Sequence, residues 1–223
     1  MITDIQQYID KAIDEILNPK FEVTKQYLQV NEVEFENGLP KVERIDHDYE
    51  DNLAAVYFPF KKERYFLQIN LQKVPEVKVD FVWTENGNRT YLTATSDTLN
   101  YEELCEGLTF EPLSGWSKGD LRKNGKSQYN FSRVSYEPFT SEAYDMETQL
   151  TLLLTELEKN AESVKLLAER AEAYISVCKH QYISGNAGIC FDVELIKRLA
   201  NLNLSVDIDT YIVGNPIKDD DDT

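Results

Sequence analysis

The chain has 223 residues, 42% apolar and 11% aromatic, enough for a buried core and too apolar for a disordered chain. Forty acids against 23 bases leave a net charge of −17. That field repels nucleic-acid phosphates and anionic membranes and favours basic partners, although solubility is the plainer reading of the same number.

Ile2, Ile5, Tyr8 or Ile9, Ala12 or Ile13, and Ile16 recur at helical spacing, predicting an amphipathic helix over 2–17 with Thr3 as cap and Asn18-Pro19 as stop. The period then shortens to two. Tyr27, Val30, Val33 and Phe35 alternate with polar residues and predict a strand, and Asn37-Gly38 predicts a hairpin because both residues accept positive φ. KVERID reads as the return strand. NLAAVYFPF and RYFLQINLQ predict a second strand pair, with Pro59 at an edge or strand end. VKVDFVW and TYLTATS predict a third, joined through a turn at Asn86-Gly87. Residues 24–97 thus read as about six antiparallel strands in meander order.

YEELCEGL predicts a short helix capped by Asn100, and SQYNFSRVSYE a strand. From Met146 to Ala171 an apolar stripe repeats by three and four, predicting a long helix or a helix pair broken at Asn160-Ala161, with Ser141 as N-cap. AEAYISVCKHQYI reads as a strand, SGNAGI as a turn, DVELIKRLANLN as a helix capped by Asp192, and LSVDIDTYIV as a final strand. The expected fold is α+β: an antiparallel meander, then a mixed subdomain whose element order is compatible with a ferredoxin-like arrangement. The expected divisions are 1–75, 76–213 and an acidic tail at 214–223, expected to be disordered.

No apolar run approaches the roughly 18 residues of a membrane helix. The acidic N-terminus lacks the basic start of a secretory leader. Cys105, Cys178 and Cys190 are odd in number without paired spacing, which fits reduced thiols. The expected location is the cytoplasm.

Catalytic signatures are missing. His47 sits among acids in RIDHDYED and reads as part of an exposed polar loop. Cys178 and His180 share a strand face but lack the CxxC spacing and fourth ligand of a zinc site. Gly185 and Gly188 precede a helix without a dinucleotide or P-loop pattern. Asp207 and Asp209 fall on the solvent face of an alternating strand. No catalytic residue, metal or cofactor is expected.

The segment SGWSKGDLRKNGKSQYNFSR runs against the chain's charge, with five bases and one acid. Trp116 can anchor the loop on the core, Gly119 can supply a positive φ, and Asp120 can hold nearby amides. The functional reading makes Trp116, Lys118, Asp120 and Arg122 a binding loop: Lys118 and Arg122 hold an anion, and Asp120 serves as a base.

The order of GLTFEPLSGWSKGD, the SQYNFSRVSYE strand, the long helix and GNAGICFDVELIKRLANLNLSVDIDTY resembles the mainly bacterial family called domain of unknown function 4279. The resemblance covers about residues 77–212 and implies architecture, with no established activity. Its motif positions fall on Trp116, Lys118, Gly119, Asp120, Asp209 and Tyr211. The expected function is a non-enzymatic acidic binding protein, immunity- or antitoxin-like, whose partner is a basic toxin. A small-ligand module or enzyme using the Trp116–Asp120 loop is the alternative.

Overall fold

The computed structural model describes residues 5–217 except 112 and 187; Thr3 and the charged run from 218 onward lie outside the described residues. Helix α1 (Ile5–Leu17) forms as its spacing predicts and buries Tyr8, Ala12 and Ile16. Next comes a second helix, α2 (Glu22–Val30), where alternation predicted a strand. Two tertiary effects override the period of two. Thr24 and Tyr27, three apart on a helical face, are buried. The buried Glu15 carboxylate accepts from the amides of Lys20 and Phe21, 3.1 and 3.0 Å away, just before the helix begins.

Strands β1 (Phe35–Glu36) and β2 (Leu39–Pro40) close the expected turn, with Asn37 at φ 52° and Gly38 at φ 83°, but their ladder is only two residues long. Strands β3 (Arg44–Glu50), β4 (Leu53–Pro59) and β5 (Tyr65–Gln72) form the predicted meander, and Pro59 is the last residue of its strand. His47 lies on β3 instead of in a loop; its side chain is exposed, 2.9 Å from Asp48.

The main correction is β6 (Lys78–Ser96), one strand of 19 residues in place of a hairpin. Asn-Gly permits a primed turn but does not impose one. Asn86 closes the ladder to β5, opposite Tyr65, and Gly87 opens the ladder to the later strand β9 (Glu172–Tyr182), opposite His180. Pairing on both sides of the dipeptide keeps the chain straight. Glycine is needed there for room: a Cβ at Gly87 would sit 1.7 Å from the Arg64 carbonyl oxygen.

Helix α3 (Tyr101–Cys105) carries the expected cap, extended to a capping box by Asn100 and Glu103. Strand β7 (Leu113–Trp116), which the sequence left irregular, pairs with β8 (Ser132–Tyr136), and β8 pairs with the end of β6. The apolar stripe divides into α4 (Met146–Glu158) and α5 (Ala161–Arg170) at the predicted break. Asp145 caps α4 in place of Ser141, its carboxylate accepting from the Thr148 amide at 2.8 Å. Asp192 caps α6 (Val193–Asn201) as predicted. Strand β10 (Ser205–Val213) runs parallel to β9, because a helix carries the chain back to the same end.

The principal sheet has the order β10–β9–β6–β5–β4–β3, with β8 and β7 added beside the second half of β6. Helices with a mostly antiparallel sheet make this an α+β fold. Two apolar clusters lie along β6. One gathers α1 and α2 over Val56, Leu67, Ile69 and Val82; the other gathers α4, α5 and α6 over Leu92, Ala94 and Ile175. Between Val82 and Leu92 along β6 stand four buried polar residues: Thr84, Asn86, Asn88 and Thr90. Thr90 donates to the Gln149 side chain at 2.6 Å, and the Asn88 amide group to the Tyr144 carbonyl at 2.8 Å. This polar belt marks the seam between the clusters.

Candidate functional site

The Trp116 loop is a folded unit. Its backbone forms a small ladder: Gly119 donates to the Tyr129 carbonyl, Tyr129 to that of Asp120, and Arg122 to that of Ser127. Gly119 takes the expected positive φ, 91°. The Asp120 carboxylate accepts from the Ser117 amide at 2.7 Å, and the Lys118 ammonium donates to the Asp97 carbonyl at 3.1 Å. Half-buried Trp116 donates through Nε1 to the Phe131 carbonyl and stacks on Tyr129. Arg122 is exposed, with its guanidinium 5.2 Å from the centre of the Tyr129 ring. Lys123 and Lys126 are also exposed. An open groove of about 590 Å³ runs beside the loop between Asp97, Phe131, Arg170 and Tyr174, but Trp116, Lys118, Asp120 and Arg122 do not line it.

The histidine and cysteines disperse. Buried His180 stacks on Tyr211, centroids 5.0 Å apart; its pKa is lowered by burial and by the nearby Arg64 guanidinium. The Cys178 sulfur lies 3.8 Å from the Tyr91 hydroxyl, whereas exposed Cys190 donates its amide to Glu147. Asp207 and Asp209 are exposed on β10. Among the described residues, no group of three or more His, Cys, Asp or Glu side chains converges as for a metal.

Side chains that converge do so elsewhere, at the seam. On the sheet face opposite α1, register aligns Arg44, Tyr57, Gln68 and Trp83 across four strands, and beside them Asp46, Ala55, Asn70 and Phe81. The Arg44 guanidinium lies 3.9 Å from the centre of the Tyr57 ring and 4.1 Å from that of Tyr144, and its Nε donates to the Ala143 carbonyl. Arg44 thereby fastens the connection before α4 onto the sheet. A cleft of about 200 Å³ remains, lined among others by Tyr49, Gln68, Trp83, Glu85, Asp145 and Lys179.

Electrostatically the cleft is unusual. Burial pushes the Glu85 carboxyl up to about 7, with help from Asp145; the Asn86 amide, 2.9 Å away, and the Arg44 and Lys179 charges oppose the rise. Lys179 is 3% exposed, whereas Trp83 keeps 48% of its surface in solvent. Phe81, on the same strand face, is also exposed. None of these residues stood out in sequence. The alternation of VKVDFVW marked a strand, but nothing local told which of its faces the helices cover.

A sequence model of the family described as Domain of unknown function (DUF4279) matches residues 86–213, more than half of the chain. No curated protein and no solved structure matches the chain. The match opens at Asn86, the residue at which β6 exchanges its β5 partner for β9. Glu85, Trp83, Gln68 and Tyr49 lie before it, Asn88, Asp145 and Lys179 within it.

Proposed function

We propose that this chain, which belongs to the DUF4279 family, is a non-enzymatic acidic binding protein whose partner is a basic protein. The observation that carries the reading is the exposed pair Phe81 and Trp83, on one strand face beside Glu85, in a protein of net charge −17. Aromatic side chains anchor protein interfaces by burying large rigid surfaces, and surrounding charge of one sign steers the encounter. The chain's 23 bases fall 17 short of its 40 acids, and Arg64, Arg89 and Arg198 are already paired with Glu142, Glu137 and Glu158. At the Trp116 loop, by contrast, the Asp120 and Lys118 groups already bond within the fold.

In its concrete form the protein is immunity- or antitoxin-like. It acts in the bacterial cytoplasm and occupies the active surface of a basic toxin such as a nuclease. Three free thiols suit that compartment, and among the described residues no helix is long and apolar enough to cross a membrane.

The test is capture of a basic protein from native lysate by the wild type and by a Phe81→Ala/Trp83→Ala variant. The wild type is expected to retain the partner at low salt and release it as salt rises, and the variant to retain much less. Capture indifferent to salt, or undiminished in the variant, overturns the proposal.

A further inference from the structure

We propose that the seam cleft receives one cationic side-chain head, the guanidinium of an arginine or the ammonium of a lysine, and that the partner supplies it; only the identity of the donor chain rests on the preceding reading. The first reason is an orphaned acceptor. Asn88 lines the cleft and is 1% exposed, and its Oδ1 has no hydrogen-bond partner among the described residues. Its Nδ2 already donates to the Tyr144 carbonyl, so this position calls for a donor from outside.

Charge is the second reason. Glu85, Asp145 and Glu147 line the cleft against one base, Lys179. Asp145 commits Oδ1 to the Thr148 amide, and Glu147 commits Oε1 to the Cys190 amide. Among the described residues, the second oxygen of each has no hydrogen bond. A cation beside Glu85 also favours the ionised form that burial disfavours.

Shape and surface agree. Trp83 and Tyr49 border the cleft, and aromatic rings hold cations by their faces, as Tyr57 and Tyr144 hold Arg44 in this same fold. The volume of about 200 Å³ lies below the roughly 300–1,000 Å³ of drug-sized ligand sites. It suits the end of one side chain.

The experiment titrates the full chain with N-acetyl-arginine amide, N-acetyl-lysine amide and N-acetyl-citrulline amide, following the indole N–H signals of the two tryptophans by NMR. Trp83→Phe assigns the signals, and the Trp116 indole, bonded to the Phe131 carbonyl, reports an intact fold. The cationic amides are expected to move the Trp83 signal saturably and leave Trp116 in place. Citrulline amide, nearly the same shape without the charge, is expected to bind at least about tenfold more weakly, a loss of about 1.4 kcal/mol. Glu85→Gln is expected to weaken the cationic amides by a similar factor with the Trp116 signal unchanged. The arginine and lysine arms tell which head fits. Equal binding of citrulline amide, no saturable shift of Trp83, or full affinity in Glu85→Gln overturns the proposal. Partner capture through Phe81 and Trp83 without amide binding sinks the cleft alone; amide binding without a partner sinks only the reading of the partner.

Discussion

Tyr129 stacks on Trp116 with ring centroids 4.2 Å apart and planes 15° from parallel. Phe131, tilted at 6.0 Å, and the Arg133 guanidinium, 5.4 Å from the ring centre, complete the surroundings. The tryptophan thus holds the loop to the strand that follows it. Trp116→Ala is expected to lower stability by about 2 kcal/mol, from lost aromatic contact and burial, and Trp116→Phe by clearly less. Urea unfolding measures both. Salt-sensitive partner capture should survive in Trp116→Ala; its loss in a folded variant would make the loop a contact surface.

Gly87 passes so close to Arg64 that no side chain fits between them. Gly87→Ala is expected to cost about 3 kcal/mol or more, because the obstacle is backbone, unable to swing aside as a flexible side chain could. Gly188 has nothing within 4 Å of a Cβ and no positive φ, so Gly188→Ala is expected to cost below about 0.5 kcal/mol. Thermal unfolding of the two variants makes the comparison, and equal melting temperatures would contradict the close approach.

These glycines show what the sequence could and could not say. Local chemistry was legible: the Asn100 and Asp192 caps, the Asn37-Gly38 turn and the helix break near Asn160 all depend on neighbours in sequence. Asn86-Gly87 has the same composition as the earlier turn, yet its conformation is set by Tyr65 and His180, far away along the chain. α2 was misread for the same reason, since Glu15 and the Tyr27–Tyr182 contact at 5.8 Å come from outside the segment. The seam cleft is the extreme case. Tyr49, Glu85, Asp145 and Lys179 are brought together only by register across the sheet and by Arg44.

Glu85 makes stability depend on pH. Its folded pKa, about 7, lies above the ordinary 4.5, so the protonated form is the one the fold prefers. This contribution is whole below about pH 4.5 and fades as pH rises through 7, a change on the order of 3 kcal/mol before water entry into the cleft is counted. Glu85→Gln keeps the shape and removes the titration. The variant should exceed the wild type in stability at pH 8 and match it near pH 4.5. Other groups, such as His180, titrate in both proteins and cancel in the difference. A gap independent of pH would contradict the buried carboxyl.

Thr90 ties α4 to the seam through Gln149, whose Nε2 also donates to the Ser141 carbonyl at 3.1 Å. Thr90→Val keeps the shape and leaves the Gln149 side-chain oxygen without this donor. A loss of about 1–2 kcal/mol is expected. Amide exchange should also quicken at the start of α4 more than in α6, which would locate the loss at this bond.

The β6 strand carries one consequence for relatives of this protein. The matched segment brings its own ladder from Gly87 to Thr95 and the apolar cluster beneath α4, yet only part of the cleft wall. Tyr49, Gln68, Trp83 and Glu85 are contributed by what precedes it. A family member with different residues ahead of that point inherits the frame but shapes a different mouth. On the proposed reading, partner choice would then be inherited separately from the fold, through the portion of this chain ahead of the matched residues.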